Sequence, residues 1–168
     1  MEIVSRMMDG SIPYDVESPG GSLLPGPPIT RDEKIEHLQK VAILQRCSRR
    51  QLAAIAKVSE VFDAPAGMAL TRAGEPGNQF FLIMEGTARV EVSPRKQPRL
   101  RAGDYFGEMS LLDGEPRSAT VVAETPIRLL IIGRKNFATI LQEVPGLIQN
   151  ILVTLSKRVR QAERPPSY

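Results

Sequence analysis

QFFLIMEGTARVEVS, residues 79–93, decides the fold class. In its second half Ala88, Val90 and Val92 alternate with Arg89, Glu91 and Ser93. Successive side chains of an extended chain point to opposite faces, so this alternation specifies a strand with one face buried and the other in water. GMALT (67–71), SATVVAE (118–124) and IRLLIIG (127–133) have the same short apolar character. They are punctuated by AGEPGN (73–78), SPRKQP (93–98) and DGEP (113–116), which are rich in turn-forming residues. Short, closely spaced strands with no long helices between them exclude a parallel sheet. They fit an antiparallel jelly-roll barrel, in which closure or double layering removes exposed strand edges.

Helical patterns flank this region. Thr30 with Glu33, and Ser48 with Gln51, have capping-box spacing, in which each side chain satisfies a free N–H at the other's position. Ile35, Leu38, Val41 and Ala42 follow the first cap at helical intervals, and Leu52, Ile55 and Ala56 follow the second. After Gly133 the helical period returns over Lys135 to Glu143. It resumes from Pro145, a residue suited to a helix's first turn, and Leu147, Ile148, Ile151, Leu152, Leu155 and Val159 form its apolar side. The expected chain is therefore mainly β with flanking helices: an antiparallel jelly-roll barrel between N-terminal helices and C-terminal closing helices. Residues 1–28, with Gly20-Gly21, Pro25, Pro27 and Pro28, read as a flexible arm, 29–163 as one domain and 164–168 as a tail.

Composition narrows the function. Of 168 residues 42% are hydrophobic and 24% charged, and no apolar run approaches the roughly 20 residues of a membrane helix, so a cytoplasmic protein without a membrane span is expected. The N-terminus lacks the basic-then-apolar pattern of a secretory signal. Cys47 and His37 are the only residues of their kinds. An intrachain disulfide, a cysteine metal cluster and a multi-histidine metal site are thereby excluded, and a histidine-centred catalytic triad gains little support. Cys47 reads as a half-buried helix residue. A net charge of +3 is too mild to indicate nucleic-acid binding without a localised basic stripe.

The chemistry concentrates in AGDYFGEMSLLDGEPRSATVVAE, residues 102–124. Gly107 lets the backbone turn tightly beside a ligand, and Glu108 to Leu112 can form a helical turn whose free N–H groups, from Met109 and Ser110, meet a phosphate oxygen. Arg117 supplies a full positive charge with directional donors, Ser118 a hydroxyl and Ala119 an unobstructed N–H. Glu108 would repel a phosphate unless it faced another part of the ligand, and a sugar hydroxyl is its natural target. The pattern suits a sugar phosphate with one acidic group. It suits a nucleoside triphosphate poorly, because there is no GxxxxGK[ST] loop and no carboxylate cluster for magnesium.

FGEMSLLDGEPRSATV, residues 106–121, resembles the phosphate-binding cassette of the cyclic-nucleotide-binding domain family. That family includes the catabolite activator protein, the regulatory subunits of cyclic-AMP-dependent kinase and nucleotide-gated channels. The likeness extends over roughly Glu36 to Arg160. It implies that Glu108 binds the ribose hydroxyl, Arg117 the cyclic phosphate, and that Gly107, Met109, Ser110, Ser118 and Ala119 line the phosphate pocket. A threonine after the arginine tends to favour cyclic GMP in the family, and Ser118 lacks the threonine methyl, so cyclic AMP is the first expectation and cyclic GMP the second. Val90 or Val92 would back the base. Lys157 and Arg158 read as solvated helix-end charges rather than base readers. No cofactor, metal or catalytic residue is expected.

The expected partners are a cyclic nucleotide and a protein effector of unspecified identity. Direct DNA binding is not expected, since the chain stops at QAERPPSY without a helix-turn-helix unit. The last helix's stripe serves a mobile lid or a homodimer seam equally well. Two other readings stay open: a ligand-independent dimerisation module of the same fold, and the sensory fragment of a transcription regulator.

Overall fold

The computed structural model describes residues 23–164. Most of the expected arm, 1–22, and the end of the tail, 165–168, lie outside the described residues. Of the arm's remainder, Leu23 is buried and β1 (Leu24–Pro25) pairs antiparallel with β2 (Glu60–Ala64).

Both capping boxes form. Thr30 caps α1 (Arg31–Gln39) by accepting from the Glu33 N–H at 3.2 Å, while the Glu33 carboxylate accepts from the Thr30 N–H at 2.7 Å. Ser48 and Gln51 repeat the exchange at the start of α2 (Arg49–Val58). Ile35 and Leu38 bury the inner face of α1, but the helix stops at Gln39. Val41 then caps a 3-10 turn, Ala42–Leu44, in which Ala42 is exposed and Ile43 and Leu44 carry the burial expected of it. Cys47 is half-buried but precedes the α2 cap instead of lying in a helix.

The remaining strands are β3 (Ala69–Thr71), β4 (Gln79–Glu85), β5 (Thr87–Glu91), β6 (Arg99–Arg101), β7 (Tyr105–Phe106), β8 (Thr120–Ala123) and β9 (Ile127–Gly133). All pairs are antiparallel. They make a five-stranded sheet ordered β1-β2-β9-β4-β7 and a four-stranded sheet ordered β3-β8-β5-β6. The fold class is thus the expected antiparallel β with flanking helices. Neither sheet closes on itself, so of the two arrangements expected, closure or double layering, the strands take the second, as two open sheets. Their facing sides share one core, with Phe62, Phe81, Leu129 and Ile131 from the first sheet and Leu70, Ala88, Val121 and Ala123 from the second, joined by Met68 just before β3.

The other face of the five-stranded sheet carries a second core, because β4 and β9 are buried on both sides. Phe80, Leu82, Leu130 and Ile132 pack there against the helices. α4 (Arg134–Glu143) contributes Phe137 and Ile140, and α5 (Pro145–Glu163) contributes Leu147 and Ile151. The single apolar side read for α5 divides in two. Leu147 and Ile151 are buried and Leu155 is partly buried against this core, whereas Ile148, Leu152 and Val159 stand in solvent at 41%, 58% and 55% exposure. β5 ends at Glu91, so Val92, expected on the buried face, is 59% exposed beyond it.

Between the sheets and the end of α5 runs α3 (Glu108–Asp113), set off at both ends by glycines. This short helix positions the site.

Candidate ligand site

Gly107 caps α3 with φ at +91°, a conformation that a side chain disfavours, and this turn carries the chain from β7 into the helix. The turn is tight because Arg117 passes beside it. The guanidinium donates from Nη1 to the Gly107 carbonyl at 2.9 Å and from Nη2 to the Gln79 carbonyl at 2.8 Å, and it lies over the Phe81 ring with Cζ 5.7 Å from the centroid. A Cβ at Gly107 would fall 2.7 Å from the Gln79 oxygen and 2.9 Å from Arg117 Nη1, and one at Gly77 would run into Arg117 Nε. Two glycines therefore make the slot through which the arginine is threaded. Arg117 is 8% exposed. Burial pushes its pKa down, the nearby Glu108 carboxylate opposes that shift, and the neighbouring Arg134 reinforces it. An arginine starts so high that it stays protonated, and its desolvated charge favours an anion in the adjoining space.

Glu108, the first residue of α3, is 2% exposed and its carboxylate accepts from Arg158 Nη1 of α5 at 2.9 Å. Arg158 is thus exposed, as the sequence suggested, but it is also engaged in an ion pair that the sequence did not suggest. Its guanidinium lies 6.0 Å from the Tyr105 ring centroid and ties the last helix to the cassette. Acid and base stand 50 positions apart in the chain, and nothing local in the sequence pairs them. Lys157, the other cation weighed as a base reader, is exposed and does not line the site.

A cavity of about 420 Å³ opens here, and Gly107, Glu108, Met109, Ser110, Arg117, Ser118 and Ala119 all line it. The seven positions singled out from the sequence are therefore brought together. Ser110 is buried, whereas Met109 is 41% exposed and its sulfur lies 3.8 Å from the Ser118 hydroxyl. Val90, Val92, Pro98, Leu100 and Val121 make an apolar wall, which includes both valines weighed as backing for a base. The sequence reading missed Thr71, Lys96, Tyr105, Gln161 and Ala162 on the lining. The β5–β6 hairpin brings in Lys96, α5 brings in Gln161 and Ala162, β3 contributes Thr71, and Tyr105 comes from β7 at the start of the cassette.

Arg134 begins α4 and holds the loop before β4. Its N–H donates to the Asn78 carbonyl at 2.9 Å and its Nη2 to the Gly77 carbonyl at 2.9 Å. The Tyr105 hydroxyl is buried with no hydrogen bond of good geometry, and burial pushes the phenol's pKa up. Among the described residues no group of three or more His, Cys, Asp or Glu is placed to hold a metal, and no helix is long and apolar enough to cross a membrane. The arrangement offers a buried cation, a buried carboxylate and an apolar wall around one cavity, which suits recognition of a small anionic, hydroxyl-bearing, partly apolar molecule.

Comparison with known proteins agrees with this chemistry. The cyclic AMP-dependent protein kinase regulatory subunit of Emericella nidulans is 32% identical over 130 residues, which is 76% of this chain and 30% of that protein. A cyclic nucleotide-gated potassium channel of Rhizobium etli is 34% identical over 133 residues, 77% of this chain and 37% of the channel. The chain thus spans about a third of the length of these relatives. Among solved structures, the regulatory domain of Toxoplasma gondii protein kinase A with cAMP superposes with a TM-score of 0.64 at 27% identity, covering 76% of this chain and 50% of that one. The family model for the cyclic nucleotide-binding domain matches residues 61–144, from β2 through the cassette to the end of α4, and the chain belongs to that family.

Proposed function

We propose that this protein is a cyclic-nucleotide sensor that takes cyclic AMP in preference to cyclic GMP and reports its occupancy through α5 to a protein effector. The observation that carries the proposal is that Arg117 and Glu108 are both buried and both line one cavity. In this reading the cyclic phosphate accepts from Arg117 and from the Met109 and Ser110 N–H groups at the start of α3, with Ser118 and Ala119 completing the pocket. The ribose hydroxyl donates to Glu108. Because Glu108 also accepts from Arg158, a ligand that engages the carboxylate acts on the contact that fastens α5. Occupancy shifts the helix only as far as the ligand binds its two positions with different affinity. The reading assigns no catalytic step, no metal and no DNA contact to the chain.

Calorimetric titration of the purified protein with cyclic AMP and, separately, cyclic GMP tests this. Saturable binding that Arg117→Ala abolishes is expected. A folded parent that binds neither nucleotide, or an Arg117→Ala variant that binds as tightly as the parent, overturns it.

A second reading is supported by the solvent face of α5. Ile148, Leu152, Leu155 and Val159 recur at intervals of four, three and four residues, the spacing of a two-helix seam, and three of them are exposed. A ligand-independent homodimer through this seam predicts that Leu152→Glu yields a monomer by sedimentation without altering nucleotide titration. Ile151 is unsuitable for that test, since it is 2% exposed within its own domain.

A further inference from the structure

Four charged residues line the cavity, and three have duties already described: Arg117 in its slot, and Glu108 paired with Arg158. The fourth, Lys96, has none. Its ammonium makes no ion pair or side-chain hydrogen bond among the described residues, yet its backbone is closely held. The Lys96 N–H donates to the Ser93 carbonyl at 3.2 Å and to the Ser93 hydroxyl at 3.1 Å, and its carbonyl accepts from the Ser93 N–H at 3.2 Å and the Val92 N–H at 3.3 Å. A long, unengaged cationic side chain is thus mounted on a pinned turn at the cavity's edge. The residues on either side in the same hairpin, Val92 and Pro98, belong to the apolar wall with Val90 and Leu100. The hairpin that carries Lys96 therefore borders the apolar wall of the cavity.

We infer that Lys96 is a specificity-determining residue that reads the base edge of the ligand and favours a purine with two adjacent acceptors. This rests on the cyclic-nucleotide reading of the cavity. An ammonium is a donor without acceptor capacity. Guanine offers it two acceptors, O6 and N7, on one edge, whereas adenine offers N7 beside an amino donor that the ammonium cannot satisfy. Lys96 therefore lends cyclic GMP more affinity than cyclic AMP. It narrows a preference that the rest of the site, with Ser118 lacking a threonine methyl, sets toward cyclic AMP.

The test is calorimetric titration of the parent, Lys96→Met and Arg117→Ala with cyclic AMP, cyclic GMP and cyclic IMP. Cyclic IMP keeps O6 and N7 but lacks the guanine 2-amino group, which isolates the two acceptors. Lys96→Met is expected to weaken cyclic GMP and cyclic IMP about tenfold and cyclic AMP by no more than about threefold, the scale of one lost base-edge contact. Thermal unfolding matched to the parent establishes that the variant is folded, as an exposed turn residue predicts. Equal loss for all three nucleotides would assign Lys96 to the shared phosphate or to long-range attraction, and no loss would leave it a surface charge; either overturns the inference while the sensor reading stands. Absence of binding by the parent removes the sensor reading itself.

Discussion

Removing Arg158 tests whether α5 is fastened to the site by charge. The Glu108 side chain is 3% exposed and that of Arg158 is 48% exposed, at 2.9 Å. A hydrogen bond to a charged group contributes about 1.5–3 kcal/mol, and the solvent at the arginine end places this one at the lower bound, about 1.5 kcal/mol. Arg158→Met keeps an unbranched aliphatic side chain of similar length, removes the guanidinium that lies 6.0 Å from the Tyr105 ring centroid, and leaves the buried carboxylate without this cation. For a domain of this length, that loss corresponds to a fall in Tm of about 3–6 °C. A double-mutant cycle with Glu108→Gln isolates the pair from incidental packing. Urea unfolding of the parent, both single variants and the double is expected to give a coupling energy of about 1 kcal/mol or more, of stabilising sign. Additivity within about 0.3 kcal/mol would refute the reasoning, and would mean that the helix is held by its other contacts, the packing of Leu147, Ile151 and Leu155 and the Asn150 side chain's hydrogen bond to the Ile43 carbonyl at 2.8 Å.

Other outcomes follow from the same geometry. Gly107→Ala combines a φ of +91° with a Cβ 2.7 Å from the Gln79 carbonyl oxygen, so it is expected to cost about 2 kcal/mol or more and to displace Arg117, seen as a lower urea midpoint together with lost nucleotide binding. Thr30→Ala and Ser48→Ala each remove one capping hydroxyl and are expected to cost about 1 kcal/mol in urea unfolding while leaving ligand titration unchanged. Tyr105 has its phenol pKa raised by burial above the ordinary 10.0. The folded state thus holds that proton more tightly than the unfolded chain. The associated stability is fully present below pH 10 and is lost as pH rises through the folded-state value, a slope in alkaline urea titrations that Tyr105→Phe is expected to flatten.

Much of this protein could be read without its structure, because the deciding signals were local. Strand alternation in TARVEVS, the two capping boxes and the glycine before Glu108 each act over a few residues, where backbone geometry and side-chain reach set the outcome. The cassette was legible for the same reason: the ten residues from Glu108 to Arg117 place a carboxylate, free N–H groups and a guanidinium around one turn. The seven positions inferred between Gly107 and Ala119 do converge on one cavity.

What the chain could not announce were relations between distant segments. The strands fall into two open sheets because pairing is chosen by the packing of whole faces: β4 and β9, buried on both sides, form the centre of one sheet, and no local pattern states whether the edges meet. Arg158 looked like a solvated helix-end cation until the fold set it against Glu108, and Lys96 was one residue of a polar turn until the β5–β6 hairpin brought it to the cavity. Local sequence determined the strands, the caps and the anion-binding turn. Tertiary structure alone decided which charges meet, because a charge's role depends on what lies within a few ångströms of it in space, and sequence distance says little about that.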